Sequence, residues 1–514
     1  MAKSTSKPTD GAKVLFDRLK NDRDNYTQRA EKCATYTIPS LFPKESDDGG
    51  TNYATPYQSV GARGVNNLSS KILLAMLPPN QPFFRLGFDQ EVQQQLAESG
   101  DMTLKAQLDE QLSMMEQIIM RYIESSSMRP TLFEAIKQLV ISGNSLLFLP
   151  PKEGGMKCYH LRDYVVQRDG VGNVLQIVAR DMLARGSLPE ELQGMLKDQG
   201  EPKPDDKVEV YTHVYPSEDG KNFESYQEID GEVVAGTEQS YPKEKTPWIP
   251  LRFTKKDGED YGRGFVEDYL GDLISLENLS KAIVDMSMIA SKVLYLVHPA
   301  AQTNIRQLAK SNNGDFVRGK PEDVQPMQLQ KYNDLQVAQN TASNIEARIS
   351  FAFLLNSAVQ RNGERVTAEE IRYVAGELED TLGGVYSLLS QELQLPLIRR
   401  VFTQMQSMSM LPEMEEGLVE PTITTGIEAL GRGHDLNKLN QFIGAIVQFG
   451  EPAFARIDFS GLISKIAAAL GVDTQGLIKT DEQIAQEQQM MQQQQLEMAG
   501  GEAAVQQAVT QRGA

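Results

Sequence analysis

Two cysteines and four histidines among 514 residues leave little material for disulfide or metal chemistry. Cys33 and Cys158 lie far apart in the chain, which supports neither a disulfide framework nor a structural zinc cluster and fits a reducing compartment. His160, His213, His298 and His434 are scattered, so no two of them share a helix face in the HExxH manner. Positive charge is also short: 51 Lys and Arg against 70 Asp and Glu give a net charge of −19, the opposite of the basic surplus of a stand-alone nucleic-acid binder. Long apolar runs are missing too, and the best membrane candidate, 282–297, is interrupted by Asp285 and Lys292. The opening residues, Met1-Ala-Lys-Ser-Thr-Ser-Lys-Pro8, lack the apolar stretch of a secretory leader, so the chain is expected to be synthesised in the cytoplasm and to stay out of the membrane. Hydrophobic residues at 40% and charged residues at 24% exclude global disorder. The length allows several domains or one large elongated unit.

What is present falls into three textures. The N-terminal quarter is mainly helical, with amphipathic spacing over about 7–33, 57–77 (stopped by Pro78-Pro79), 90–125 and 130–142. Short β-branched and aromatic runs then predict strands at 145–150, 157–161, 164–181, 207–216, 223–229 and 232–236, with Asp169-Gly-Val-Gly-Asn173 as a hairpin turn and an antiparallel meander reaching about Phe253. After Tyr261-Gly-Arg-Gly264 the chain runs without proline as far as His298-Pro299, which predicts one long helix, and a second is predicted from Asn333 to Leu355. A Gly-, Pro- and Asn-bearing insert separates them. Beyond the polar stretch 356–366, Thr367 and Glu370 have capping-box spacing for a helix to about Met408, interrupted near Gly383-Gly384. Shorter helices are expected from Pro412 to Gly476, followed by a glutamine-rich tail that is helical or disordered.

Enzyme motifs are incomplete. Gly314-Asp-Phe-Val-Arg-Gly319-Lys320-Pro321 follows the phosphate-loop pattern until its last position, where Pro321 stands in place of the Ser or Thr that would hold magnesium. Ser145 lacks the second glycine of a nucleophile elbow. The acidic run Glu369, Glu370, Glu377, Glu379 and Asp380 reads as a solvated helix face, and the clustered methionines read as packing. The unusual feature is architectural: a helix, an insert and a second helix, followed by a short polar loop holding Arg361, Asn362, Gly363 and Arg365. Residues alone leave three readings open: a soluble enzyme, a helical adaptor working as monomer or dimer, and a ring built by side-by-side packing of the two helices.

The sequence resembles the portal, or head-to-tail connector, proteins of short-tailed, T-seven-like bacteriophages. The likeness is carried by TIPSLFP (37–43), VGARGVNNLSSKILLAMLP (60–78), TLFEAIKQLV (131–140), YVVQRDGVGNVLQ (164–176), YGRGFVEDYLGDLISLENLSKAIVDMSMIASKV (261–293), GERVTAEEIRYVAGELEDTLGGVYSLLSQELQLPL (363–397) and EPTITTGIEALGRGHDLNKL (420–439). It covers about residues 10–480.

The resemblance implies an α+β, mainly helical portal fold, an elongated subunit of a ring of twelve at one capsid vertex. Residues 1–262 would form most of a wing containing the meander at about 145–253, 263–297 and 331–355 two stem helices, and 298–330 a clip. Residues 356–366 would be a channel loop, 367–410 a wing helix, 411–480 crown helices and 481–514 the tail. Double-stranded DNA would pass through the ring, touched transiently by Arg361, Asn362 and Arg365, with Lys281 and Lys292 as candidate cation rings in the stem. Asn312, Asn313, Arg318 and Lys320 would lie on the clip surface that meets the terminase large subunit and later the tail adaptor. The major capsid protein, scaffolding protein and internal core proteins are the other implied partners. No catalytic residue, cofactor, metal or membrane contact is implied, and the place of action is the virion. A shortage of cations suits a conduit, since phosphate neutralisation by Lys and Arg is what makes DNA stick.

Overall fold

The computed structural model describes residues 10–44, 46–79, 82–88, 102–151, 155–187, 206–291, 294–327, 332–355, 374, 376–378, 381–412, 419–423 and 443–444. The chain divides into two compact units, 1–426 and 427–514. Of the second unit only residues 443–444 are described; the sheets and the helices that pack with them belong to the first.

Four helices open the chain: α1 (Ala12–Thr35), α2 (Val60–Met76), α3 (Met102–Ser125) and α4 (Met128–Ser142). Helix α1 buries Ala12, Leu15, Phe16, Arg23, Thr27, Ala30, Cys33 and Ala34, a stripe at helical spacing. No local side chain caps its start. Instead the Glu228 carboxylate accepts the Ala12 and Lys13 N–H groups at 2.6 and 3.1 Å, placing an anion on the positive end of the helix. The strand β1 (Phe84–Phe88) lies between α2 and α3 in sequence.

The strands form two antiparallel sheets. In the first, β2 (Asn144–Phe148) lies between β3 (Lys157–Tyr159) and β10 (Trp248–Arg252). The second runs in the order β4 (Tyr164–Arg168), β5 (Val174–Ala184), β6 (Lys207–Pro216), β7 (Asn222–Ile229) and β8 (Glu232–Val233), with β9 (Gln239–Pro242) also pairing β7. The Asp169–Asn173 turn forms as its residues require: Gly172 adopts φ 103°, and the Asp169 carboxylate accepts the N–H groups of Val171, Gly172 and Asn173.

The next segment differs from expectation. Its helical part consists of a turn, α5 (Phe265–Asp268), and α6 (Leu270–Ala290). The helix does not continue to His298. Leu294–Val297 is instead a strand, β11, paired antiparallel with β12 (Val324–Met327); its Leu-Tyr-Leu-Val composition favours the pleat once a partner is available. Between them lies the single turn α7 (Ile305–Leu308), and α8 (Tyr332–Ala352) follows. A break at Gly383, φ 50°, precedes α9 (Gly384–Leu389), a π-helical turn at Ser390–Gln394 and α10 (Leu395–Ser407). The expectation of helix after Pro412 is corrected at Val419–Ile423, which is a strand, β13, paired with β1. Its alternating Val-Glu-Pro-Thr-Ile pattern fits a strand that finds its partner far away in sequence. The Thr367–Glu370 capping box lies outside the described residues.

One large apolar cluster runs from Ala30 to Leu411 and joins all four N-terminal helices to the three-stranded sheet, the bases of α6 and α8, and α10. A small second cluster, Ala12, Leu15, Phe16, Val165, Val178 and Tyr211, seats the start of α1 on the larger sheet.

Candidate functional site

The helix–insert–helix module is pinned at its base by backbone packing. Gly143 ends α4 in the left-handed region, φ 78°, and a β-carbon there would collide with the backbone of Arg263 and Gly264. The Asn144 side chain then acts as an extra strand: its Oδ1 accepts the Gly262 N–H at 2.7 Å and its Nδ2 donates to the Gly262 carbonyl at 2.9 Å. The Tyr261-Gly-Arg-Gly264 run is therefore small because two chain segments pass in close contact. Just beyond, Phe265 and Tyr269 enclose the ring of Phe353, with centroids 5.1 and 5.8 Å away, and Phe353 rests on Gly64 of α2.

The end of α8 is held with comparable care. Leu354 adopts φ 56°, and the Leu355 N–H donates to the Ser350 carbonyl at 2.8 Å. Asn67 Nδ2 donates to the carbonyls of Phe353 and Leu354, each at 3.0 Å. Lys71 Nζ donates to the Leu354 carbonyl at 3.0 Å and pairs with Glu377 at 2.9 Å. A cation thus satisfies a carbonyl at the negative end of the helix, where its charge is favourable.

Between base and insert the two helices are poorly covered. Helix α6 buries only Leu273 and Leu276, and the buried residues of α8 are Ala342, Ile345, Ile349 and Ala352. An Asp272–Arg348 pair at 2.7 Å joins them near the base. Further along, Val284, Met288, Ile289 and Val337 are 42, 57, 53 and 65% exposed, so apolar side chains face outward as well as inward. A helix apolar on several sides is built to be covered.

The insert is organised around one carboxylate. Asp323 Oδ2 accepts from the Thr303 hydroxyl at 2.6 Å and from the N–H groups of Thr303 and Gln302 at 3.0 and 3.1 Å. The bond from Thr303 is the leading cause that lowers the Asp323 pKa below the ordinary aspartate value. Thr303 Oγ1 also accepts the Lys320 N–H at 2.9 Å, and a side chain at Gly319 would press on Thr303. Thr303, Lys320 and Asp323 therefore close a loop, 304–319, in which no residue is buried. The broken phosphate-loop motif lies within it, and its lysine opens a short 3-10 turn, Pro321–Asp323, rather than a helix.

Four of the residues singled out from the sequence, Asn312, Asn313, Arg318 and Lys320, are exposed here. Asn312 and Asp315 close a turn, with Asp315 Oδ2 accepting the Asn312 N–H at 2.7 Å. Lys281 is exposed on α6. Lys292, Arg361, Asn362 and Arg365 lie outside the described residues. Sequence reasoning missed Gly64, Asn67, Lys71, Thr303, Phe316 and Asp323. Most of these act through partners remote in sequence and leave no local spacing to read, whereas Phe316 was visible as an aromatic in a polar turn.

Other candidates have ordinary partners. Burial and the nearby Arg162 charge push His160 down to about 4, and burial pushes His213 down to about 4. Ser145 is fully buried beside Cys158, with Oγ and Sγ 3.2 Å apart. Among the described residues no cluster of His, Cys, Asp and Glu could hold a metal ion, and no helix is long and apolar enough to cross a membrane.

Residues 9–478 match the family model described as bacteriophage head to tail connecting protein. The chain belongs to that family. It is 54% identical over 490 residues to the portal protein of Escherichia phage T7, covering 94% of this chain and 90% of that one, and to the same extent to the portal protein of Enterobacteria phage T3. The portal protein of Enterobacteria phage SP6 is 30% identical over 488 residues, covering 92% of this chain and 90% of the relative. Among solved structures, the chain is similar to one from the neck of an empty GTA particle computed with C6 symmetry, at TM-score 0.38 and 13% identity, covering 81% of this chain and 90% of that one. Head-to-tail connection in a phage is accordingly the role of this chain, and the relatives are named for that role rather than for an enzymatic activity.

Proposed function

We propose that the chain is one subunit of a twelve-membered ring at a single capsid vertex, through which double-stranded DNA enters during packaging and leaves during infection. The observation that carries this reading is the 54% identity to two portal proteins across 94% of the chain. Two physical features support it. The outward apolar side chains of α6 and α8 supply faces that neighbouring copies would cover on either side. The net charge of −19 gives a lumen that repels phosphate and lets a duplex slide.

On this reading α6 and α8 form the stem, the insert between them the clip, and residues 356–366 the loop that meets DNA through Arg361, Asn362 and Arg365. Lys281 and Lys292 form weak cation rings in the stem. The terminase large subunit and then the tail adaptor meet the clip, the capsid and scaffolding proteins surround the wing, and internal core proteins meet the crown. Negative-stain microscopy with native mass measurement tests the ring. Annular particles with a central hole are expected, whereas a uniform monomer or dimer under assembly conditions would overturn the reading in favour of an adaptor.

A further inference from the structure

The loop 304–319 buries none of its residues, yet it displays three large apolar side chains: Ile305 and Leu308, about two-fifths exposed, and Phe316, fully exposed. It is not slack. The Thr303–Asp323 and Thr303–Lys320 bonds close its ends, and the Asn312–Asp315 turn immediately before Phe316 is fixed by the Asp315 carboxylate, with Gly314 at φ 97°. Such a closed excursion has the build of an Ω-loop. Its charge is opposite to that of the chain: from 304 to 320 there are four cations, Arg306, Lys310, Arg318 and Lys320, and a single carboxylate, Asp315. All four cations are exposed. Leaving a whole phenyl ring in water costs free energy on the order of 2 kcal/mol unless something covers it, and an aromatic anchor within a charged rim is the usual make-up of an interface hot spot.

We infer that this loop is a docking knob: Phe316 inserts into an apolar pocket of a partner protein, and Arg306, Lys310, Arg318 and Lys320 meet an acidic rim around that pocket. The inference rests on the ring reading, in which the insert faces the partners outside the capsid. The occupant to which we assign it is the packaging motor. A loop this short offers each subunit a patch at the small end of interface sizes, below about 1,200 Å², as in transient encounters, and a cationic rim speeds association and makes it sensitive to salt. Both suit a partner that must leave. Duplex DNA would use the cations but has no pocket for the ring, since its bases are already stacked.

The test uses assembled full-length rings on a surface and the purified large terminase subunit of the same phage in solution. Phe316→Ala is expected to weaken binding by about tenfold or more, Phe316→Trp to retain it, and the double change Arg318→Glu with Lys320→Glu to weaken it and flatten its salt dependence. Terminase binding unchanged by Phe316→Ala would overturn the inference. So would a charge reversal that removes only duplex binding to the same rings, or a loss confined to the tail adaptor. Micrographs of each variant separate the two levels: wild-type protein that forms no rings sinks the ring reading, whereas intact rings indifferent to Phe316 sink only the knob.

Discussion

The Phe353 ring stands directly on Gly64: a β-carbon at that glycine would lie 2.7 Å from Phe353 Cγ and 2.8 Å from Cδ1. The contact ties α2, an N-terminal helix, to the end of α8, so the base of the module depends on a hydrogen atom in place of a methyl group.

Helix propensity and packing oppose each other at this position. Alanine in a helix interior is favoured over glycine by about 1 kcal/mol, but the fully buried Phe353 is confined by Phe265 and Tyr269, and overpacking costs about 1–3 kcal/mol. Gly64→Ala is therefore expected to lose roughly 1 kcal/mol net, seen as a lower urea midpoint at unchanged slope. A raised midpoint would mean that the ring yields and propensity wins.

Glu392, in the π-helical turn, serves two buried arginines. Its carboxylate accepts the Arg252 backbone N–H at 3.0 Å and side-chain N–H groups at 3.1 and 2.5 Å, and lies 4.0 Å from Arg168. Both arginine side chains are 4% exposed, and burial pushes Arg168 down to about 10. Glu392→Ala leaves those charges without their carboxylate and is expected to cost about 3–5 kcal/mol. Glu392→Gln, which keeps an acceptor, is expected to cost less. Denaturant unfolding of both variants gives the answer, and equal losses would mean that the lost hydrogen bonds, not the charge, dominate.

How far the sequence disclosed this arrangement depended on the range of the interaction involved. The Asp169–Asn173 turn was legible because Asp169, Gly172 and Asn173 satisfy one another locally. The glycines of Tyr261–Gly264 were visible, but their reason, the close pass of Gly143 and Asn144, was not. Leu294–Val297 was assigned to a helix because an apolar run of four has no period of its own, and only pairing with Val324–Met327 decides it. The β1–β13 pair joins residues more than three hundred positions apart and was missed at both ends. Of the candidate site, the four exposed polar residues of the insert came from family likeness, whereas the Thr303–Asp323 clamp that presents them left no trace in spacing.

That clamp has a pH dependence of definite sign. The Asp323 carboxylate is held below its ordinary value by the Thr303 hydroxyl and by the N–H groups of Thr303 and Gln302. Its contribution is fully present above the unfolded value near 3.9 and is lost as pH falls through the lower folded value. Thr303→Val at neutral pH is expected to speed amide exchange at residues 302–304 and 320–323 while the exchange of α4 stays unchanged. Wild-type protein is expected to lose protection at the same amides only below about pH 4. Loss beginning near pH 6 would point to another titrating group, His298 being the neighbouring candidate.

The channel-loop arginines are tested by reversing their sign. Arg361 and Arg365 follow the clamped Leu354-Leu355 turn within a dozen residues, in a chain whose acidic surplus leaves few cations for phosphate. If they touch the duplex in passing, the contacts supply weak, salt-screened retention rather than grip. Arg361→Glu with Arg365→Glu replaces attraction by repulsion and is expected to reduce DNase-protected DNA in a packaging assay or to let packaged genomes leak. Ring formation by the same protein is expected to be unaffected, because the anchors of the preceding turn, Asn67 and Lys71, are untouched. Assembled double-mutant rings that package and retain DNA at wild-type levels would remove these residues from the transport path and leave the acidic lumen to work without a cation brake.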